Sequence, residues 1–166
     1  MRVIGGKLRG KLIHNPTDKT TRPLKDMVRE SIFNILEHSK NEKIKFKNDV
    51  VLDLFSGSGS FGIECLSRGV KKVFFFENYK PSLKILEKNI KELEIDKDSV
   101  IRKINAYEIS KENIDNEKIN LIYLDPPFKD KNINKLLRKI LDLKIAHKST
   151  LICLLYTSPS PRDEDW

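Results

Sequence analysis

Cysteine is scarce: 166 residues hold only Cys65 and Cys153. Two thiols so far apart supply neither a disulfide framework nor a zinc site. No metal is therefore expected, and a reducing cytoplasm suits the chain. Long hydrophobic runs are lacking as well. No apolar stretch approaches the ~20 residues of a membrane span, and the first residues show no signal-peptide pattern. Neither a membrane-embedded nor an exported protein is expected. From Val50 onward there is no internal repeat and no low-complexity tract. At 39% hydrophobic, the chain is long enough for one domain with a real core.

Acidic residues are too few to balance the basic ones. Lys and Arg number 32 against 24 Asp and Glu, a formal net charge of +8. The excess is uneven: residues 1–50 carry 12 basic and 6 acidic side chains, residues 51–166 carry 20 and 18. A surplus in the first third suits docking of a polyanion there. A lysine-rich composition that makes every surface basic is the plainer reading, and charge alone does not separate the two.

"RVIGGKLRGKL" (2–12) alternates apolar and basic residues around glycines, which predicts a short hairpin or an ordered basic arm. A polar loop, "HNPTDKTTRP" (14–23), follows. From Asp26 the positions Met27, Ile32, Ile35 and Leu36, with Val28 and Phe33 beside them, predict an amphipathic helix to about His38. After the charged connector 41–48 the texture changes. Strand-like runs at 50–55, 72–77, 99–104, 119–125 and 149–156 alternate with helical patterns at 60–68, 81–93 and 132–141, and a weaker one near 107–113. Apolar strands alternating with helices predict an α/β fold, a doubly wound and mostly parallel sheet covered on both faces.

Chemistry gathers at the ends of these strands. "DLFSGSGSFG" follows the first, with Asp53, Gly57, Gly59 and Gly62. The glycines fit G-x-G-x-x-G, in which the backbone turns sharply and approaches a ligand ahead of a helix. An ordinary glycine-rich turn would look the same. Glu77, 20 residues after Gly57, stands where a carboxylate accepts hydrogen bonds from ribose hydroxyls. Asp53 lies before the glycines, which suits a ligand bearing an ammonium or sulfonium group, S-adenosylmethionine in preference to a nicotinamide cofactor. Asn105 and Ala106 follow the third strand, where the Asn either faces an adenine or caps the next helix.

"LDPPF" (124–128) ends the fourth strand. Two prolines withhold N–H donors and stiffen the backbone. What remains is a row of acceptors, the Asp125 carboxylate and nearby carbonyls, beside the flat ring of Phe128. Such a grip fits a planar, unstacked base with an exocyclic NH2 group, whose hydrogens it would hold while the nitrogen lone pair is aimed at a methyl.

With these motifs in place, the sequence resembles class I S-adenosylmethionine-dependent methyltransferases acting on amino groups. "RVIGGKLRGKL" and "RPLKDMVRESIFNIL" are similar to the N-terminal signature of the bacterial 16S ribosomal RNA guanine-N2 methyltransferases, a match from Arg2 to about Ile152. The resemblance implies that Asp53, Phe55, Gly57 and Gly59 line the cofactor, that Glu77 holds its ribose, and that Asn105 and Ala106 lie near its adenine. Asp125, Pro126, Pro127 and Phe128 would grip the guanine. Arg2, Arg9, Arg22 and Arg29 would contact RNA. Leu24-Lys25 departs from the small hydroxyl residues more usual there.

Three segments are expected: a basic RNA-binding extension (1–48), a Rossmann-like methyltransferase domain lacking its last strands (49–152), and a non-native tail (153–166). "CLLYTSPSPRD" resembles a translated sequencing adapter. The expected partner is 16S ribosomal RNA or a small-subunit assembly particle, bound by a cytoplasmic monomer. The rival readings are a DNA adenine-N6 methyltransferase and a non-catalytic RNA-binding module on the same fold. A separate target-recognition domain is not evident, which disfavours the former. An NAD-dependent oxidoreductase lacks a hydride-transfer acid.

Overall fold

The computed structural model describes residues 1–17, 26–38, 40 and 44–155. Five strands form one sheet, β1 (Val50–Leu54), β2 (Lys72–Phe76), β3 (Ser99–Arg102), β4 (Leu121–Leu124) and β5 (Leu151–Leu154). Their order is β3-β2-β1-β4-β5 and every pairing is parallel. The chain winds outward from β1 to β3, then returns to start again at β4. The reversal between β1 and β4 opens a crevice at their carboxyl ends, where ligands bind in doubly wound sheets.

The nearly all-apolar strands have a simple cause: both faces are covered. Val51, Val73, Phe75, Leu121 and Tyr123 meet α1 (Asp26–His38), α2 (Ser60–Ser67) and α3 (Lys80–Glu92). Their strand neighbours Leu52, Leu54, Phe74, Ile122 and Leu124 meet α4 (Ile133–Asp142) and the segment 104–114. The strand period of two divides each strand between two cores.

The weak helical pattern near 107–113 is realised as two short 3-10 turns, Ala106–Glu108 and Glu112–Ile114. Local side-chain bonds displace the helix. Asn105 Oδ1 accepts the Tyr107 N–H at 3.0 Å, and Asn113 Oδ1 accepts from the Ser110 N–H and hydroxyl, each at 2.8 Å.

Helix α1 has the expected bounds but not the expected inner face. Met27 and Ile35 are 80% and 68% exposed, whereas Arg29, Phe33 and Leu36 are buried. The inward stripe therefore runs through an arginine.

The N-terminal arm packs into the same core, through Val3 and Ile13. Arg2 and Leu12 form an antiparallel bridge, so the arm is a hairpin. It is fixed to α2 by backbone contacts. Buried Glu64 accepts the Ile4 and Gly5 N–H groups at 2.9 and 2.7 Å, and Ser67 O accepts the Lys7 N–H at 2.8 Å. A Cβ on Gly6, at φ +75°, would stand 2.0 Å from Ser67 O, so only glycine fits this approach. The charge step at residue 48 is thus not a break in packing.

At the other end, β5 includes Cys153 and Leu154, and the Leu155 N–H bonds Leu124 O at 2.9 Å. The boundary expected at Ile152 falls inside this strand, and residues 156–166 lie outside the described residues. Among the described residues, no helix is long and apolar enough to cross a membrane.

Candidate active site

At the carboxyl end of β1 the chain turns through Phe55 in the left-handed region (φ 60°), an uncommon place for an aromatic residue. Ser56 Oγ donates to Asp53 O at 2.7 Å, and the Gly59 N–H donates to Ser56 O at 2.8 Å, closing the loop. Gly59 then begins α2 at φ +83°, where a Cβ would meet Leu86 Cδ1 at 2.4 Å. Glycine is needed there on both counts.

Asp53 is buried beneath this loop. Its Oδ2 accepts the Gly62 N–H at 3.1 Å, while Oδ1 is buried with no hydrogen bond among the described residues. Burial pushes its carboxyl well above the ordinary range. The Gly62 N–H opposes that shift, and the charges of Asp125 and Glu77 add to it. An acid held this way lacks a cation.

Glu77, just past β2, clasps the loop. Its Oε2 accepts the Gly57 N–H at 2.8 Å, and Oε1 accepts those of Asn78 and Tyr79 at 2.9 and 2.8 Å. Oε1 is taken up by two donors, whereas Oε2 has one and keeps a second lone-pair direction, so accepting a ribose hydroxyl remains open to it. Asn105 uses its side-chain oxygen in a capping box with Glu108, the capping alternative of the sequence reading, and Ala106 is buried at the start of that turn.

Asp125 follows β4 across the crevice and stands close enough for its charge to act on Asp53. Pro126 is half-buried, Pro127 is exposed, and the Phe128 ring is 60% exposed. Leu124 O and Pro127 O accept the Leu155 and Asp130 N–H groups, each at 2.9 Å. The Asp125 carboxylate and the carbonyls of this segment are the candidate acceptors.

Sequence reasoning missed a tie between two of these loops. Tyr107, next to Ala106, donates its hydroxyl to Asp130, at 2.8 Å from each carboxylate oxygen. Its ring meets that of Phe55 edge-on at 6.1 Å. No spacing in the sequence connects residues 107 and 130; only the sheet order brings them together.

The arginines divide. Arg2 and Arg9 are exposed on the hairpin, with Arg2 Nη1 donating to Gly10 O at 2.8 Å. Arg22 lies outside the described residues. Arg29, expected on the RNA surface, is instead 0% exposed. Its guanidinium donates to Arg2 O and to Asp26 Oδ1 and faces Glu64 at 4.0 Å, holding the hairpin against α2. Its place in register with Phe33 and Leu36, one helical face, was the available signal.

With this geometry in view, the family described as conserved hypothetical protein 95 matches residues 1–164, further than the Arg2–Ile152 span of the motifs. The chain belongs to that family. The small-subunit ribosomal RNA methyltransferase D of Buchnera aphidicola (strain APS) is 31% identical over 150 residues, 90% of this chain and 74% of that protein. The Bacillus subtilis protein YlbH, named as a candidate rRNA methyltransferase, is 32% identical over 153 residues, 92% of this chain and 80% of its own length. A solved Escherichia coli structure described as a candidate methyltransferase superposes with a TM-score of 0.68 at 27% identity, covering 86% of this chain and 73% of that one. The protein is a Rossmann-like methyltransferase of class I type.

Proposed function

We propose that the protein transfers a methyl group from S-adenosylmethionine to the exocyclic N2 amine of a guanine in 16S ribosomal RNA. The supporting observation is that the strand-order reversal brings two complementary sites together, the buried, cation-deficient Asp53 with its glycine loop and the acceptor row Asp125–Phe128. Relatives named as small-subunit ribosomal RNA methyltransferases support the choice of RNA.

The residues fit the cofactor. Asp53 Oδ1 suits its ammonium group, Glu77 its ribose hydroxyls, and the turn at Asn105–Ala106 the edge of its adenine. When bound, it supplies a methyl on a cationic sulfur. The protein's part is then positional and electrostatic. Phe128 receives the unstacked guanine on its open face. Asp125 and a neighbouring carbonyl accept the two amine hydrogens, which turns the nitrogen lone pair toward the methyl. As the new N–C bond forms the methyl–sulfur bond would break, leaving a neutral thioether; the Asp125 carboxylate would stabilise the positive charge on nitrogen, take up the proton that nitrogen loses and pass it to water. The exposed Arg2 and Arg9 of the segment 1–48 hold phosphates.

Methylation of 16S ribosomal RNA, naked and in small-subunit particles, tests this with mass mapping of the product. N2-methylguanosine in either substrate is expected. N6-methyladenine formed in DNA, with no change in RNA, would transfer the reading to the adenine enzymes.

A further inference from the structure

One buried hydroxyl on β4, the strand that leads to Asp125, has no role in the chemistry above. Tyr123, in β4, stacks its ring on Phe61 of α2, with centroids 3.7 Å apart and planes 6° from parallel. It is 2% exposed, and its Oη has no hydrogen bond among the described residues. Buried phenols ordinarily find a partner, because leaving one out carries the full desolvation penalty. A phenylalanine would make the same stack without that penalty, so packing alone does not account for the hydroxyl.

A second unpartnered atom lies on the neighbouring strand. Asp53 is the register partner of Tyr123 across β1 and β4, and adjacent strands stand about 4.8 Å apart. Both side chains occupy the α2 face of the sheet, Tyr123 against Phe61 and Asp53 against the Gly62 N–H. Asp53 Oδ1 is buried and also lacks a hydrogen bond among the described residues. Burial first, and then the charges of Asp125 and Asp53, push the pKa of the phenol up. Two unsatisfied polar atoms, on register-paired residues of one sheet face at the strand-order reversal, call for a polar partner.

We infer that Tyr123 is a cofactor-binding residue, its hydroxyl joining Asp53 Oδ1 in holding the ammonium end of S-adenosylmethionine, directly or across one shared water. A phenol both donates and accepts, so it can give its hydrogen to a carboxylate and keep a lone pair for an N–H or a water. An ammonium has three donors and can use both acceptors. The inference rests on the proposed use of S-adenosylmethionine.

Calorimetric binding to the wild-type protein and to Tyr123→Phe tests it with two probes. S-adenosylhomocysteine carries the amino-acid end, whereas methylthioadenosine has the same nucleoside and a thioether but no ammonium. For the variant, S-adenosylhomocysteine is expected to bind about two- to tenfold more weakly, the effect of one hydrogen bond, with methylthioadenosine unchanged. A wild-type protein that binds neither probe defeats the cofactor reading itself. If the wild type binds both and the variant loses nothing, only the role of Tyr123 is overturned; a higher melting temperature for that variant would mark the hydroxyl as a packing defect. Equal losses on both probes also overturn it, since they report distortion of the whole crevice.

Discussion

The Tyr107 hydroxyl is shared between the two carboxylate oxygens of Asp130, 2.8 Å from each. The bond joins the turn after β3, on the proposed adenine side, to the loop that follows "DPPF". The same loop is closed by the Asp130 N–H on Pro127 O, and Lys139 Nζ of α4 holds Tyr107 O at 2.5 Å. One tyrosine thus ties the loop after Asp125–Phe128 to the turn after β3.

Removing that tie should act on geometry more than on affinity. Tyr107→Phe is expected to lower kcat by about tenfold, since small misplacements at a reacting centre reach ~100-fold, while cofactor affinity changes little. Burial, and then the bond to Asp130, raise the pKa of the Tyr107 phenol. Its stabilising contribution is therefore complete below the ordinary tyrosine value of about 10 and is lost as pH rises through the raised folded value. Denaturant midpoints should fall above pH ~10 more steeply for the wild type than for Tyr107→Phe. Parallel alkaline profiles would count against the tie.

Asp53 gives a pH dependence in ligand binding. Its folded pKa is raised, first by burial, so its ionisation opposes the ligand-free fold. The stabilising contribution is complete below the unfolded carboxyl value and disappears as pH rises through the folded one. Asp53→Asn is therefore expected to stabilise the ligand-free protein at neutral pH and to weaken cofactor binding. A cationic ligand favours the ionised acid, so affinity for S-adenosylmethionine should fall as pH drops through the folded pKa, with a proton released on binding below it. Calorimetry in buffers of different ionisation enthalpy measures that proton; its absence across the acid range would exclude Asp53 as the ammonium's partner.

These residues were legible in the sequence to different degrees. Glu77 and Asp125 could be located because each directly follows a strand, where apolar residues give way to polar ones, and Asp53 because it is the one acid within the apolar β1 just before the glycine turn. The parallel sheet was legible for a related reason: burial on two faces leaves almost no polar residue inside a strand. Tyr123 was the exception within "LIYLD", yet a tyrosine in an apolar strand reads as core unless the neighbouring strand is known to offer an unpartnered acid. The helix near 107–113 was misjudged because capping by Asn105 and Asn113 outweighs a short apolar pattern. Arg29 was misread because charge suggests solvent, whereas its helical register with Phe33 and Leu36 turns it inward.

Arg29 and Arg9 should accordingly behave differently. Arg29→Ala leaves buried Glu64 with less compensation, and breaking a buried pair typically costs about 3–5 kcal/mol. A large loss of stability is expected, seen as a lower denaturant midpoint, with detachment of the N-terminal hairpin visible as faster amide exchange at Ile4 and Gly5. Arg9→Ala should leave stability unchanged and reduce the log–log salt slope of RNA binding by about one unit. A stable, fully folded Arg29→Ala protein with weakened RNA binding would restore Arg29 to the RNA surface.

Glu77 clasps the glycine loop and, in the proposed function, also holds the ribose; substitution should reveal both. Glu77→Ala removes the acceptor of the Gly57, Asn78 and Tyr79 N–H groups along with the proposed ribose contact. Hydrogen bonds to a charged group contribute about 1.5–3 kcal/mol, so cofactor affinity should fall roughly 10- to 150-fold. Turnover should largely recover at saturating cofactor. Persistent loss of kcat would mean that the loop held by Glu77 also shapes the reacting centre.

Asp125 should show the opposite pattern, a loss of turnover that no concentration of either substrate repairs. Losing one preorganised group at a reacting centre costs about 100- to 1000-fold in rate, by analogy with oxyanion donors, and Asp125→Ala is expected in that range. Asp125→Asn is the more discriminating variant. It keeps the size and one acceptor oxygen, removes the charge that would stabilise a cationic nitrogen, and introduces an N–H donor facing amine hydrogens. If the carboxylate acts on the amine, Asn should remain severely impaired while cofactor affinity is retained. Loss of the negative charge beside Asp53 should also lower the Asp53 pKa, because Asp125 is one of the groups raising it. The acid limb of cofactor binding should then move to lower pH. Wild-type turnover together with an unmoved binding profile would reduce Asp125 to the residue that ends β4.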